Sequence, residues 1–438
     1  MTDTICAPAT APGGALAVIR VSGPKAFPIV SSLVVGEASK LCSPVVGEAS
    51  KLCSSPSVRY THIAAQGELI DDIVLTLFRA PRSYTGEDTA EISCHGSPYI
   101  KQRILALLVE QGCRMARPGE FTQRAFLHGK LDLSQAEAVA DLIAATDKAT
   151  HDIAMSQLRG GISTELSQLR DHLLHLTSLL ELELDFSDHE DLEFADRTEL
   201  LQLAQTIEAH IARLARSFET GNALKNGVSV AIIGAPNVGK STLLNALLGE
   251  ERAIVSDIQG TTRDAIEDTI NLHGVTFRFI DTAGIRHTSD TIEQIGIERS
   301  IAAAQRARII LLMSEPGIPY PDIPVRSDQT VIRIENKTKA FQAKYGVGID
   351  ELKQQLIAAI PTFCDTDVVV TNARHYDALQ RAHASILRVI EGLNDGLSGD
   401  LLSEDLRQTL DILAEITGGQ ITPQETLNNI FSHFCVGK

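Results

Sequence analysis

Between Ser134 and Asp185 the apolar positions follow a helical rhythm. Leu166, Leu169, Leu173, Leu176 and Leu180 recur at spacings of three and four, which places them on one stripe of a helix that must pack against another. The pattern predicts long helices here, interrupted at Gly160 and Gly161, with the stripe read as bundle core rather than as a seam for a coiled-coil partner. After the acidic connection Asp185–Glu193, helical spacing resumes over Leu200–Phe218 and returns over Tyr376–Leu393 and Leu401–Ile416. Up to about Pro118 the pattern is different. Short β-type runs at Ala15–Val21, Asp72–Leu77 and Ala90–Ser93 alternate with Gly/Pro turns and one helix-like run, Ile100–Glu110, which predicts an α+β module. Between the two helical stretches, an apolar run beginning at Val228 passes through a Gly-rich loop into an amphipathic segment ending at Gly249. This order implies a strand-loop-helix module inserted into one helical bundle whose halves lie on either side of it.

The length of 438 residues allows about three domains of ordinary size. A hydrophobic fraction of 44% is ordinary, no apolar run reaches bilayer-spanning length, and Met1–Arg20 lacks the basic start and apolar core of a secretory signal, so a cytoplasmic protein without a membrane is expected. Seven scattered cysteines form no CxxC pair, which fits a reducing compartment without structural zinc. Cys94 beside His95 reads as local packing. The net charge of −17 repels nucleic acid at long range, and no dense Lys/Arg cluster reverses it, so an RNA partner would need a second subunit to help hold it. The segment VVGEASKLCS at 34–43 recurs letter for letter at 45–54; two copies cannot build a solenoid, and the repeat reads as a duplication in a tolerant loop.

The most specific chemistry lies at Gly234–Ser241, GAPNVGKS, between the apolar run and the amphipathic one. Glycines there let backbone N–H groups close around the β- and γ-phosphates of a nucleoside triphosphate, the helix N-terminus adds positive potential, and Lys240 and the Ser241 hydroxyl serve phosphate and Mg²⁺. A mere Gly-rich turn is the alternative, but the flanking strand and helix favour the phosphate loop. Downstream, the β-like run Phe277–Asp281 ends in Asp281, Thr282, Ala283 and Gly284, where an aspartate can hold the Mg²⁺ shell and a glycine N–H can reach the γ-phosphate, the switch-II signature of GTPases. Between these pieces lies Gly260–Asp264, with Thr262 placed to complete the Mg²⁺ shell as a switch-I threonine. Ile285 follows Gly284, and an aliphatic side chain cannot orient water. Either hydrolysis is very slow or the task falls to a carboxylate further on, with Glu293 best placed, and to an extra cation, for which Asn237 offers an amide oxygen.

With these residues in view, the sequence resembles the tRNA-modification GTPase family called MnmE or TrmE over nearly its whole length. The resemblance is carried by Ala15–Gly23, Tyr84–Asp88, Glu91–Gly96, Arg117–Phe121, Gly129–Ala138, Gly234–Thr242, Ile254–Asp264, Asp281–Gly284 and the terminal Phe434–Lys438. It implies a multidomain α+β and α/β fold: a folate-binding, dimerising N-terminal α+β domain at 1–118, a helical domain at 119–220 plus 373–438, and an inserted P-loop, Ras-like G domain at 221–372. It implies a GTP site formed by Asn237, Val238, Gly239, Lys240, Ser241, Thr242, Ser256, Asp257, Ile258, Gln259, Gly260, Thr261, Thr262, Asp281, Thr282, Ala283, Gly284, Asn336 and Lys337. Mg²⁺ would sit on Ser241 and Thr262. K⁺ would sit on Asn237, Ser256, Ile258 and Thr261 in place of an arginine charge, and Glu293 would orient the water. A tetrahydrofolate derivative, 5-formyl or methylene, would bind at Arg20, Glu91, Lys130 and Lys438, and Cys435 holds the position of a catalytically important cysteine. The bland alternatives are a structural ion pair for Arg20 with Glu91 and a buried helix-end thiol for Cys435. Also implied are a homodimer, an FAD-dependent MnmG-type partner in a heterotetramer or larger complex, and construction of a carboxymethylaminomethyl-type group on C5 of the wobble uridine, U34, of certain tRNAs. A regulatory nucleotide switch, or a folate-binding scaffold with a degenerate G domain, are the competing functions.

One motif departs from the family. The guanine-reading Asn-Lys-x-Asp element appears as Asn336, Lys337, Thr338 and Lys339, and an ammonium has three donors and no acceptor for guanine's ring N–H and amino group. Gln342, Ala343 and Lys344 follow almost at once where the family has a Ser-Ala-Lys-like turn, and Ser314–Asp328 is short and Pro-rich. Either the G domain is contracted, with weaker preference for GTP over other purine triphosphates, or Asn336 is not the reading asparagine.

Overall fold

The computed structural model describes residues 3–35, 56–185, 197–249, 268–280, 301–360, 368–419, 427, 430–432, 434 and 437. The chain forms two compact units, Met1–Ala140 with Ala414–Lys438, and Asp141–Leu413.

In the first unit the described residues form a seven-stranded sheet from β1 (Ile5–Pro8), β2 (Leu16–Ser22), β3 (Val34–Val35), β4 (Ser57–Ala65), β5 (Glu68–Phe78), β6 (Thr89–His95) and β7 (Arg114–Met115), in the order β3-β4-β5-β6-β2-β1-β7. Every pairing is antiparallel except β1 with β7. Period-two alternation builds it: in β5, Ile73, Leu75 and Leu77 are buried while Asp72 and Val74 face out. Helices α1 (Ala26–Leu33) and α2 (Pro98–Glu110) contribute Phe27, Val30, Ile104 and Leu108 to a core shared with Ile19, Val21, Ile63 and Ile92. The intervening β1 residues Ile5 and Ala7 join a second cluster with Ala116 and with Phe121 of α3 (Glu120–Leu127). Of the decapeptide repeat, Val34 and Val35 form β3, and 36–55 lies outside the described residues.

Under this second cluster lies a charge network invisible to sequence patterning. Arg124 of α3 is fully buried and donates to Glu87 Oε2 at 3.1 Å, to Asp3 Oδ1 at 2.8 Å and to Glu120 Oε1 at 3.3 Å. Arg114 reaches Asp3 Oδ2 at 2.7 Å and Glu120 Oε2 at 3.0 Å, and Ser22 Oγ donates to Glu87 at 2.9 Å. Burial pushes the Glu120 carboxyl up, but the Arg114 hydrogen bond, the Arg117 N–H and the charges of both arginines outweigh it and hold the group below the usual carboxylate range. A carboxyl lowered in the fold stabilises it above the unfolded value, and that stabilisation fades as pH falls through the folded value. Glu120→Gln is therefore expected to lower the melting temperature at neutral pH, with a deficit that shrinks as pH falls below the ordinary carboxylate value and Glu120 itself takes up a proton. Thermal melts across that range measure this; a deficit independent of pH would show that the charge of Glu120 is immaterial.

The second unit combines helices with a five-stranded sheet. Past α4 (Leu133–Ala144), the helices α5 (Lys148–Leu158), α6 (Gly161–Asp185) and α7 (Arg197–Asn226) precede the sheet strands, and α8 (Lys240–Leu248) and α9 (Ile349–Ala358) accompany them. Helices α10 (Ala373–Asn394) and α11 (Gly399–Thr417) follow the sheet. The leucine stripe of α6 is buried as its spacing predicts, and α7 packs against both α6 and α10. Gly160, at φ +86°, makes the predicted break between α5 and α6. Helix α7 runs past the expected end at Phe218 because Gly221 serves close packing rather than termination: a Cβ there would lie 2.2 Å from the Val370 carbonyl oxygen. The acidic connection lies, beyond Asp185, outside the described residues.

The sheet comprises β8 (Val228–Gly234), β9 (Asp268–Leu272), β10 (Val275–Phe279), β11 (Ile309–Ser314) and β12 (Thr330–Glu335), ordered β12-β11-β8-β10-β9. All pairings are parallel except β9 with β10. The central strands β8 and β11 are apolar almost throughout, as strands covered on both faces must be.

Candidate nucleotide site

In an open parallel sheet, ligands bind beyond the carboxyl ends of the strands, and here those ends bring together the loops after β8, β11 and β12. Gly234 ends β8 beside Met313 of β11, and a Cβ at Gly234 would lie 2.5 Å from the Met313 carbonyl oxygen, so only glycine lets the strands close there. The chain then turns with Asn237 at φ +60° and Gly239 at φ +100° and enters α8 at Lys240. Successive backbone N–H groups in such a turn, followed by a helix N-terminus, form an anion cradle. Lys240 Nζ donates to the carbonyls of Gly234 at 2.8 Å and Ala235 at 2.9 Å. Burial lowers the Lys240 pKa, so an arriving phosphate, which favours the charged form, is matched to a partly desolvated ammonium.

Asn336 joins this cradle to the loop after β12. It is buried, its Nδ2 donates to the Val238 carbonyl at 2.8 Å, and its Oδ1 accepts the Ala343 N–H at 3.1 Å. A Cβ on Gly239 would lie 2.5 Å from Asn336 Nδ2, so any larger residue there would push on the Asn336 amide. Lys337, at φ +63°, pairs with Glu315 just after β11. Lys339 is exposed in the tight turn Thr338–Phe341, closed by Thr338 N–H to the Phe341 carbonyl at 3.1 Å and Phe341 N–H to Thr338 Oγ1 at 3.1 Å. Thr338–Phe341 is a short turn, after which Ala343 returns to Asn336.

Of the other nucleotide-site candidates, Val238 is buried beneath the loop, and Ser241 and Thr242 lie in the first turn of α8. Ser256, Asp257, Ile258, Gln259, Gly260, Thr261, Thr262, Asp281, Thr282, Ala283, Gly284, Ile285 and Glu293 lie outside the described residues. Their neighbours are placed: Asp268 opens β9 opposite Phe279 of β10, and the Ile280 N–H donates to the Val230 carbonyl at 3.0 Å. The donor set described for the cations, the Ser241 hydroxyl at the helix start and the exposed Asn237 amide in the loop, has the oxygen chemistry that Mg²⁺ and K⁺ require.

The first unit gathers the folate candidates. Arg20 and Glu91 face each other across β2 and β6, with Arg20 Nε donating to Glu91 Oε1 at 2.9 Å. The guanidinium lies 5.3 Å from the Tyr84 ring centroid and 5.6 Å from that of Phe121. Its Nη1 donates to the Gly437 carbonyl at 3.3 Å. Gly437 sits at φ +99°, where a Cβ would lie 2.0 Å from the Pro8 carbonyl oxygen. Lys130 Nζ donates to the Pro81 carbonyl at 2.9 Å, on the loop that carries Tyr84. Cys435 and Lys438 lie outside the described residues. Tyr84 and Phe121 thus place their rings against the Arg20 guanidinium.

The sequence matches two family models, "GTP-binding protein TrmE N-terminus" over residues 4–130 and "MnmE helical domain" over residues 133–435. It is 52% identical to the tRNA modification GTPase MnmE of Phocaeicola vulgatus, covering 100% of this chain and 99% of the relative. Identity is 51% with the protein of the same name from Bacteroides fragilis, over 100% and 99% of the two chains. It is also 51% with that from Parabacteroides distasonis, over 100% of both.

Proposed function

The chain belongs to the MnmE family of tRNA modification GTPases, and from that premise we propose that it is a potassium-dependent GTPase that works with a flavoprotein partner on C5 of the wobble uridine of certain tRNAs. The observation that carries the nucleotide part is the bridge made by Asn336 between Val238 of the phosphate loop and Ala343 of the base-side loop, beside the desolvated Lys240. Lys240 and the N–H groups that follow it hold the β- and γ-phosphates and take up charge as the terminal bond breaks. Glu293 orients the attacking water, a task Ile285 cannot perform. Mg²⁺ on Ser241 and Thr262, with K⁺ on Asn237, Ser256, Ile258 and Thr261, would supply the positive charge that other GTPases take from an arginine.

The same reading assigns residues 1–118 to a folate-binding and dimerising domain, 119–220 with 373–438 to a helical domain, and 221–372 to the inserted G domain. Support for the folate assignment is the cation between two aromatic rings at Arg20, which suits the flat ring and anionic tail of a tetrahydrofolate, with Glu91 available to its polar edge. Guanine selectivity is weakened, since Lys339 offers no acceptor in the base-reading turn.

The test is steady-state GTP hydrolysis with Mg²⁺ in KCl and in NaCl at equal ionic strength. A turnover at least about tenfold faster in K⁺ is expected for a cation that replaces an arginine charge. Equal turnover in both salts would remove potassium from the mechanism, and no turnover in either would favour a folate-binding scaffold with a degenerate G domain.

A further inference from the structure

The turn between β9 and β10 is built to receive a helix. His273 at φ +52° and Gly274 at φ +84° form its two central residues, the left-handed pair of a tight hairpin. The N-terminus of α5 stands on this turn: the Ala149 N–H donates to the Gly274 carbonyl at 3.0 Å, and a Cβ on Gly274 would lie 2.9 Å from Lys148 Cβ. Asp147 caps the helix with one carboxylate oxygen and holds the hairpin with the other. Its Oδ1 accepts the Thr150 N–H at 2.8 Å, and its Oδ2 accepts the Thr276 hydroxyl at 2.5 Å and the Thr276 N–H at 3.1 Å. Two N–H groups of the helix start, those of Ala149 and Thr150, are thereby satisfied by the hairpin and by a residue bonded to it.

Thr276 also lies beside the link between α7 and β8. Only Gly227 separates the end of α7 from β8, and a Cβ on Gly227 would lie 3.4 Å from Thr276 Cγ2 and from its carbonyl oxygen. From Thr276, β10 runs alongside β8, with Phe277 opposite Val228 and Phe279 opposite Val230, to Ile280. Only the four residues Phe277–Ile280 separate Thr276 from Asp281, the start of one candidate catalytic segment. The other segment, carrying Thr261 and Thr262, enters the same hairpin through β9.

We propose that Asp147 and Thr276 form a clamp that sets the hairpin and, through its two ends, the segments that complete the GTP site. Thr276 is thus a positioning residue for hydrolysis. The clamp lies on the sheet side away from the phosphate loop, so it acts on the alignment of the catalytic segments and leaves ground-state phosphate binding to Lys240. This inference rests on the GTPase reading above.

The test compares Thr276→Val, Thr276→Ser and Thr150→Val in the full chain, assayed with saturating Mg²⁺ and K⁺ well below their melting temperatures, with the active fraction fixed by GDP-binding stoichiometry. Thr276→Val removes the hydroxyl bond and spares the cap; Thr150→Val weakens the cap and spares the hairpin. The expected result is a kcat about tenfold lower in Thr276→Val with KM within about twofold of wild type, the scale of loss produced by misplacement remote from the chemistry. Thr276→Ser should recover most of it, and Thr150→Val should match wild type. A wild-type kcat in Thr276→Val, an equal defect in Thr276→Ser, or an equal defect in Thr150→Val would each overturn the clamp. A wild-type chain that hydrolyses no GTP would instead overturn the GTPase reading, and the clamp's role with it.

Discussion

Lys240→Ala is expected to lower GTP affinity by about a thousandfold, the equivalent of about 4 kcal/mol, or two charge-assisted hydrogen bonds to phosphate oxygens. The geometry supports a loss of this size. The ammonium is held at the loop mouth by the Gly234 and Ala235 carbonyls and has already lost part of its hydration, so little further ordering is needed when phosphate arrives. Alanine leaves the backbone cradle without its side-chain cation. Lys240→Arg should not restore binding, because a planar fork does not fit a position shaped for a compact point charge. Titration of a fluorescent GTP analogue measures both variants; a loss under about tenfold in Lys240→Ala would mean that the loop binds something other than the β- and γ-phosphates.

Lys339→Asp is expected to act in the opposite direction, creating guanine selectivity where the wild type has little. In the wild type, GTP and XTP should bind within about tenfold of each other, since the exposed Lys339 cannot accept from guanine's ring N–H or amino group. A carboxylate there accepts both, and at about 1.5 kcal/mol or more for each bond to a charged group it should raise GTP affinity by about a hundredfold. The same carboxylate faces a carbonyl in xanthine, so XTP should bind Lys339→Asp no better than it binds the wild type. Competition assays with GTP, XTP and ATP on both proteins decide it. Wild-type rejection of XTP and ATP by a hundredfold or more would show that another group reads the base.

Local pattern carried much of this structure. The leucine stripe of α6, the alternation in β5 and the apolar run of β8 each state their environment in a single window, because the period of a buried face equals the period of the element. The phosphate loop was equally legible, since its glycines do a backbone task no other residue performs. Asn336 is ambiguous in sequence because its short downstream spacing departs from the family, and its bonds to Val238 and Ala343 join residues 98 and 7 positions away. Other features were hidden for a plain reason. Arg124 draws on Asp3 and Glu87, 121 and 37 positions away, and Asp147 meets Thr276 across 129 positions, so neither contact leaves a mark in any one stretch of chain. Helical spacing ends at Phe218 in the sequence, yet α7 continues to Asn226, and Gly221 within it admits the Val370 carbonyl.

Helix α7 spans 30 residues, about 45 Å at the usual rise, and one residue joins it to the strand that delivers the phosphate loop. Mechanically this is a lever with a very short coupling. A turn of β8 by about 5°, too small to disturb its sheet bonds, moves the distant end of a rod of that length by about 4 Å. Because α7 is packed along α6 and α10, such a swing would be shared by those helices.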